Sequence, residues 1–473
     1  MLFSPFSKRN RLQLRISERR LLLMAGDVLA VTLSTFFALY IWSRVAETPF
    51  TIDFVLPRSY WFFVLPIFWL ILASANDFYQ LRVAANRWQS LQRLMVITGQ
   101  MILVYIIVFF VSSRDELPRL FIFYYGILAF VTIALWRMLN PALLGWASTA
   151  RRVLIIGTNS SAQKIAETLK TFGAQGYEIR GIISQTVDVG KTIHGVPVIG
   201  TGADLMNFVL RDRIAELVIT DIADTDAEIF RAVMQAYEQG VVLSPMPLLY
   251  ARLTGRVPVQ DVHNQWGIVL PIEGQSLFSP YPALKRLMDI VLALIGMMVF
   301  IPLLPILALI IKLDSKGGVF YTQIRTGLRG KNFRIIKFRT MVQDAEKATG
   351  AIFSVANDSR VTRVGKICRK TRLDELPQII NVLKGDMSIV GPRPERPEHI
   401  ARLTESIPFY RTRLVIRPGL TGWAQVKYHY GSTDEDALVK LEYDLYYIRN
   451  QSLLLDLNII IRTVYKVIRL GGL

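Results

Sequence analysis

A chain of 473 residues with 55 Lys and Arg against 37 Asp and Glu carries a formal net charge of +18, and 52% of it is hydrophobic. Its single cysteine, Cys368, excludes an intrachain disulfide, and four scattered histidines (His194, His263, His399, His429) argue against a zinc site. Basic charge first suggests nucleic acid, but these bases flank apolar segments or accompany Asp and Glu, so lipid headgroups and phosphorylated substrates are the expected partners, with no nucleic acid.

Four apolar segments open the chain, roughly 21–42, 60–75, 94–111 and 120–139. Each is close to the length of about 20 residues that crosses a bilayer core. The first is too long and too far from the terminus for a cleavable signal peptide. Lys8, Arg9, Arg11, Arg15, Arg19 and Arg20 precede it. Arg82, Arg87 and Arg93 follow the second segment, and Arg137, Arg151 and Arg152 follow the fourth. The other two loops balance their charges, Arg44 and Arg58 against Glu47 and Asp53, then Arg114 and Arg119 against Asp115 and Glu116. The bias of bases toward the cytoplasm therefore predicts a four-helix transmembrane bundle over 1–148 with both ends inside.

Residues 149–246 alternate short apolar strands with helices, which predicts a Rossmann-like parallel sheet. The turn after Arg151-Arg-Val-Leu-Ile-Ile is an incomplete dinucleotide fingerprint. Gly157 is its first glycine, but Asn159 stands where the second belongs and Ala162 where the third would be. Ser184 and Asp188 are the nearest polar candidates for a ribose. The expectation is no bound NAD, and either a cofactor-free scaffold or a regulatory nucleotide site. Residues 247–278 read as a connector, extended or in short strands.

A fifth apolar run, about 284–313, is long enough to span. Two features resist a simple span. Pro302 and Pro305 interrupt it, and both flanks are basic: Lys285 and Arg286 before, Lys312, Lys316 and Arg325 after. A bent re-entrant hairpin returning to the cytoplasmic face fits both and keeps the remaining chain in the cytoplasm. Asp289, inside the apolar run, is expected to pair with Lys285 or Arg286 one turn away.

The stretch from Arg369 to Pro394 sets adjacent carboxylates, Asp374 and Glu375, among Arg369, Lys370 and Arg372, then closes on Gly391-Pro-Arg-Pro. Carboxylates suit a divalent cation and a nucleophile, and cations suit phosphate; attack on a phosphoanhydride needs both together. Residues 374–384 are helix-like, with Pro377 in the first turn and Gly385 as a stop. Asn381 and Asp386 read as turn buttresses, and Tyr443, Tyr446 and Tyr447 as packing.

In order, seven blocks resemble those of the polyprenyl-phosphate hexose-1-phosphate transferases, the large monotopic phosphoglycosyl transferases of bacterial polysaccharide synthesis. They are Lys285-Arg-Leu-Met-Asp289, Phe320 to Gly327, Lys337-Phe-Arg339-Thr-Met341, Asn357 to Gly365 with Arg360, Asp374 to Gln378, Gly391-Pro-Arg393-Pro-Glu395, and Arg417 to Gln425. The resemblance implies transfer of sugar 1-phosphate from UDP-hexose to undecaprenyl phosphate with release of UMP. It implies Asp374 as covalent nucleophile and Glu375 as Mg²⁺ ligand. Lys337, Arg339, Arg360, Arg393, Arg417 and Gln425 would bind substrate, and Lys285, Arg286, Asp289, Pro302 and Pro305 would shape the re-entrant membrane segment.

The expected fold is thus a membrane protein of α and α/β class. A transmembrane bundle and a Rossmann-like middle domain lead to an α-rich monotopic catalytic domain at 279–473. It would sit in the bacterial inner membrane, multi-pass, with its active site on the cytoplasmic face, and a homodimer is compatible with this layout. The rival activity is a membrane-bound NAD-dependent nucleotide-sugar dehydratase. Its Tyr-x-x-x-Lys pair could only be Tyr281 with Lys285, which has Pro282 between and serves another block. A non-catalytic, nucleotide-sensing scaffold is the other rival and suits 151–246 best.

Overall fold

A computed structural model describes residues 16–80, 83–84, 86–111, 120–143, 150–173, 176–185, 188–220, 226–261, 279–343, 360–428, 431 and 433–468. A third of one expected block, Asn357, Asp358 and Ser359, lies outside these, as do His263, His429 and most of the 247–278 connector. The chain divides into two compact units after Ser244.

The first unit begins with helices α1 (Ile16–Val45), α2 (Trp61–Ala75), α3 (Arg87–Val111) and α4 (Phe121–Leu143). Helix α1 packs on α2 and α4, and α3 packs on the same two. Among the described residues, Arg20–Val45, Phe121–Leu139 and Tyr281–Asp314 are long and apolar enough to cross a membrane. A bent pair, Ile52–Arg58 with Trp61–Ala75 at 41°, would make a fourth. Helix α3 opens with the polar Arg87, Gln89, Ser90, Gln92 and Arg93 and is largely apolar from Leu94 on. Arg137 counts among the bases that follow the fourth segment. It is buried on α4 and pairs with buried Asp27 of α1 at 2.8 Å. Its guanidinium also lies 3.9 Å from the Phe78 ring centroid.

Strands β1 (Arg151–Ile156), β2 (Tyr177–Ile183), β3 (Thr192–Ile193), β4 (Val196–Gly200), β5 (Glu216–Ile219) and β6 (Val242–Pro245) form a sheet ordered β3-β4-β2-β1-β5-β6. β1 runs parallel to β2 and β5, and β2 parallel to β4, as the alternation predicts. Helices α5 (Ser160–Phe172), α6 (Gly202–Asp212) and α7 (Ala227–Glu238) connect them. Gly157 adopts φ +107°, and a Cβ there would lie 2.3 Å from Thr220 Oγ1, so glycine is required at this turn. Asn159 caps α5, its side chain accepting from Ala162 N at 3.1 Å. Asp188 accepts from Lys191 at 2.7 Å and Thr158 at 3.2 Å, so both polar candidates beside the turn are bound into their own loop.

In the second unit the expected connector starts as helix α8 (Met246–Thr254). Val257 and Val259 then enter an apolar core with Ile400, Leu403 and Leu441, and Val257 N donates to Glu442 O at 3.0 Å. Apolar residues spaced along 246–259 bury because they meet a partner surface, which local sequence does not reveal.

Helix α9 (Tyr281–Asp314) runs unbroken through Pro302 and Pro305, so no turn separates the two arms expected of a hairpin. Asp289, Ala293, Phe300, Leu307 and Ile311 are its buried residues, a stripe at helical spacing. They pack on Ile335, Phe338, Cys368, Ile379 and Val382. Burying each large apolar side chain of that stripe contributes roughly 1.5–3 kcal/mol. Many other apolar residues of α9 are exposed, including Leu287, Ile295, Met298, Ile301, Leu309 and Leu313.

Strands β7 (Phe320–Thr326) and β8 (Asn332–Phe338) form an antiparallel hairpin in register Phe320↔Phe338 to Thr326↔Asn332. Next come α10 (Arg363–Thr371), a 3-10 turn at Leu373–Gln378 and α11 (Ile379–Lys384). Strand β9 (Ser388–Val390) then pairs in parallel with β10 (Gly419–Thr421), with α12 (Pro397–Ser406) between them in sequence. Helices α13 (Asp434–Arg449) and α14 (Leu453–Ile468) follow.

Candidate active site

The site is assembled on the free edge of β8. Asn381 of α11 completes that edge as a peptide group would. Its Oδ1 accepts from Ile336 N at 3.2 Å, and its Nδ2 donates to Arg334 O at 2.8 Å. This is the buttress the sequence suggests, and it fixes α11 and the preceding turn against the strand that carries Lys337.

Arg372 takes a left-handed conformation (φ 60°) between α10 and the 3-10 turn. That costs about 1–2 kcal/mol for a residue with a Cβ. It redirects the chain so that Asp374 and Glu375 point inward, where both are buried. Glu375 Oε1 accepts from Lys337 at 2.8 Å and from Arg393 at 2.9 Å, while Arg372 lies 3.9 Å from Oε2. Burial alone would raise the Glu375 pKa, but Arg393, Lys337 and Arg372 hold it well below the ordinary carboxylate range. Asp374 is pushed up to about 6 by burial and by the Glu375 charge, against Lys337, Arg369 and Arg372.

Asp374 Oδ1 is buried and has no hydrogen-bond partner among the described residues, and neither has Gln378 Nε2. A buried carboxylate oxygen left bare beside cations is poised for an electrophile or a cation rather than for the fold. Among the described residues no three His, Cys, Asp or Glu side chains converge on one point. The pair still fits Mg²⁺, which binds through one or two carboxylates and completes its shell with substrate phosphate and water.

The Gly391-Pro-Arg-Pro turn brings Arg393 in. A Cβ on Gly391 would lie 2.4 Å from Arg417 O, so only glycine lets these two segments touch.

Of the expected substrate residues, Lys337 and Arg393 meet the carboxylate pair. Others have different work. Arg339 is buried and donates to Ser315 O at 2.7 Å, Lys316 O at 2.8 Å and Ile311 O at 3.3 Å, capping α9 rather than facing phosphate. Arg417 donates to Gly385 O at 3.0 Å, at the end of α11. Arg360 adjoins the Met341↔Val361 bridge. Gln425 accepts from Lys466 through its backbone, and its Oε1 is buried with no hydrogen-bond partner among the described residues.

The membrane-segment residues are also redistributed. Asp289 does not pair with Lys285 or Arg286. It accepts from Ser388 Oγ at 2.9 Å and Ile389 N at 3.0 Å. Lys285 instead reaches Asp456 at 3.1 Å, and Arg286 donates to Val382 O and Leu383 O at 2.8 and 3.0 Å. Tertiary partners replace the one-turn neighbours: donors for the Asp289 carboxylate, and acceptors for Lys285 and Arg286. Sequence reasoning missed Asp456, Arg413 and Asp444; Asp456 alone carries a local signal, a single charge in an apolar stretch, whereas Arg413 and Asp444 stand among other charges.

A family model described as bacterial sugar transferase matches residues 280–470, and one described as CoA-binding domain matches 74–247. A UDP-glucose:undecaprenyl-phosphate glucose-1-phosphate transferase of Klebsiella pneumoniae is 32% identical over 362 residues, covering 75% of this chain and 76% of that protein. The chain belongs to the bacterial sugar transferase family. A protein of the same description from Xanthomonas campestris pv. campestris is 32% identical, over 67% of this chain and 66% of its own length. A UDP-N-acetylgalactosamine-undecaprenyl-phosphate N-acetylgalactosaminephosphotransferase of Aeromonas hydrophila is 42% identical over 54% of this chain, which spans 59% of that protein. The sugar transferase match encloses the carboxylate pair, Lys337 and Arg393.

Proposed function

We propose that this protein transfers hexose 1-phosphate from UDP-hexose to undecaprenyl phosphate and releases UMP, the first membrane step of exopolysaccharide, capsule or O-antigen synthesis. The observation that carries this reading is the bare, buried Asp374 Oδ1 beside Glu375, which Lys337 and Arg393 hold ionised. Asp374 attacks the sugar-bearing phosphorus of the UDP-hexose. The new bond is an acyl phosphate, the bond broken is the phosphoanhydride, and UMP leaves with the electron pair. Undecaprenyl phosphate then attacks the same phosphorus and frees Asp374. Lys337, Arg393 and Arg372 offset the phosphate charge and hold Glu375 fixed. Bound at Glu375 and the substrate phosphates, Mg²⁺ would supply further charge neutralisation at the reacting phosphorus.

The same reading puts α9 in one leaflet. Residues near its start (Arg286, Asp289) and near its end (Asp314, accepting from Val364 N at 3.0 Å, with the Arg339 cap) are held by one catalytic unit. A helix crossing a bilayer could not have both ends gripped from one side. The exposed apolar face of α9 would lie in lipid, in a bacterial inner membrane, with the site at headgroup height on the cytoplasmic face. Helices α1–α4 would form the multi-pass bundle.

The dehydratase reading loses its chemistry, since Tyr281 and Lys285 both bind Asp456, at 2.9 and 3.1 Å. Purified protein with undecaprenyl phosphate, Mg²⁺ and a panel of UDP-sugars should release UMP from at least one hexose donor. No UMP from any donor would sink the proposal.

A further inference from the structure

The Gly-Pro-Arg-Pro-Glu turn has an unusual problem of support. Pro392 and Pro394 have no N–H, so the turn cannot anchor itself through a backbone ladder. Beyond Gly391 N, which donates to Thr421 O at 2.9 Å, it is held by the carbonyls of residues 392–395, each with its own donor. Gly419 N donates to Pro392 O at 2.9 Å and Thr326 N to Glu395 O at 2.9 Å. The two middle carbonyls take arginines: Arg413 Nη2 donates to Arg393 O at 3.1 Å, and Arg325 Nη1 to Pro394 O at 3.1 Å.

Arg413 is the buried one. It is 5% exposed, on the 3-10 turn Tyr410–Val415, and its Nη2 also donates to Asp444 of α13 at 2.8 Å. Its Nη1 donates to Tyr410 OH at 2.8 Å and lies 4.0 Å from Glu395. Asp444 is 2% exposed. A buried ion pair is weak evidence for stability, because desolvating both charges offsets their attraction. A fork that engages Asp444, Tyr410 and the carbonyl of the residue that reaches Glu375 has a positional use.

We propose that Arg413, locked by Asp444, is a positioning residue for the transfer reaction: it fixes the backbone of Arg393 so that the Arg393 guanidinium meets Glu375 beside Asp374. It touches no substrate itself. Lysine at 413 can keep a charge opposite Asp444 but cannot reach Asp444, Tyr410 and Arg393 O together.

The proposal rests on the transferase reading, and the experiment separates the two. In the UMP-release assay, Arg413→Lys should lower kcat by about tenfold with KM for UDP-sugar changed less than about twofold, as expected for an interaction made in the transition state. Arg393→Ala should cost about a hundredfold, and in that background Arg413→Lys should cost less than about twofold more, because both changes act on one group. A full tenfold loss by Arg413→Lys in the Arg393→Ala background, or no loss in the Arg393 protein, would overturn the proposal. If Arg413→Lys does not fold, the neutral pair Arg413→Gln with Asp444→Asn enters the same cycle. Exposed Arg402→Ala, which breaks the 2.9 Å pair with Asp434, should leave kcat unchanged. A wild-type protein that releases no UMP rejects the transferase reading, whereas an active wild type with additive losses rejects only the role of Arg413.

Discussion

The Asp289 carboxylate accepts the Ser388 hydroxyl at 2.9 Å across 99 residues of sequence, joining α9 to β9. Asp289→Ala would leave the Ile389 N–H without an acceptor and turn the Ser388 hydroxyl to Val390 O, 3.0 Å away, a loss of about 1–3 kcal/mol for one orphaned donor. Asp289→Asn keeps an oxygen for one of them and should cost less. Thermal unfolding in detergent should rank wild type above Asp289→Asn above Asp289→Ala; equal midpoints would remove the join.

Asp374→Asn should abolish turnover, because an amide cannot form the acyl phosphate. Residual activity within about tenfold of wild type, a barrier change below roughly 1.4 kcal/mol, would reject the covalent role. The same variant should be more stable at pH 7.5. Asp374 has a folded pKa of about 6 against 3.8 unfolded. Its ionisation therefore opposes folding: the cost is absent below the unfolded value, grows as pH rises to about 6, and is constant above. That cost is at most about 3 kcal/mol. The midpoint gap between variant and wild type should be wide at pH 7.5 and closed near pH 4; a gap that widens in acid contradicts it. Wild-type kcat/KM should fall in acid through the same value.

Much of this site was legible locally. Two adjacent carboxylates among bases, a Gly385 stop and a rigid proline turn all carry their chemistry in short windows. What was not legible is which base meets which acid. Lys337, Arg339 and Arg417 look alike in sequence, and only the pairing of β8 with α11 sends Lys337 to Glu375 while Arg339, two residues on, turns to α9. Asp289 misleads for the same reason, since the one-turn neighbour is visible and the Ser388 hydroxyl is not. The α9 prolines gave the right suspicion of an unusual segment, but continuous helix absorbs them, with the lost donors confined to two positions.

Arg339→Ala should therefore damage the fold more than substrate binding. Removing three bonds to the last turn of α9 should lower the unfolding midpoint by several degrees, about 2–3 kcal/mol. KM for UDP-sugar, measured at a temperature where the variant remains folded, should stay within about twofold. A KM raised tenfold or more with an unchanged midpoint would return Arg339 to the phosphate site.

Cysteines at Ser279 and Ser315, with Cys368 replaced, test the course of α9. Both should be labelled by an impermeant maleimide from the cytoplasmic side alone. Labelling of position 315 from outside only would make α9 a spanning helix and part Asp374 from a cytoplasmic UDP-sugar. Pro302→Ala with Pro305→Ala strengthens the helix by about 3 kcal/mol per proline removed. This pair should favour spanning and lower activity with Asp374 intact.

The Asp27–Arg137 pair joins the first and fourth helices across 110 residues. During synthesis, α1 leaves the ribosome long before Arg137 exists. A lone carboxylate costs up to about 2.5–3.5 kcal/mol on insertion, the value at the centre of a span. If α1 spans the bilayer, as the proposed bundle requires, its buried acid has no Arg137 until α4 arrives. In that bundle the helix made first would be finished last, because its buried acid meets Arg137 only when the fourth helix is in place.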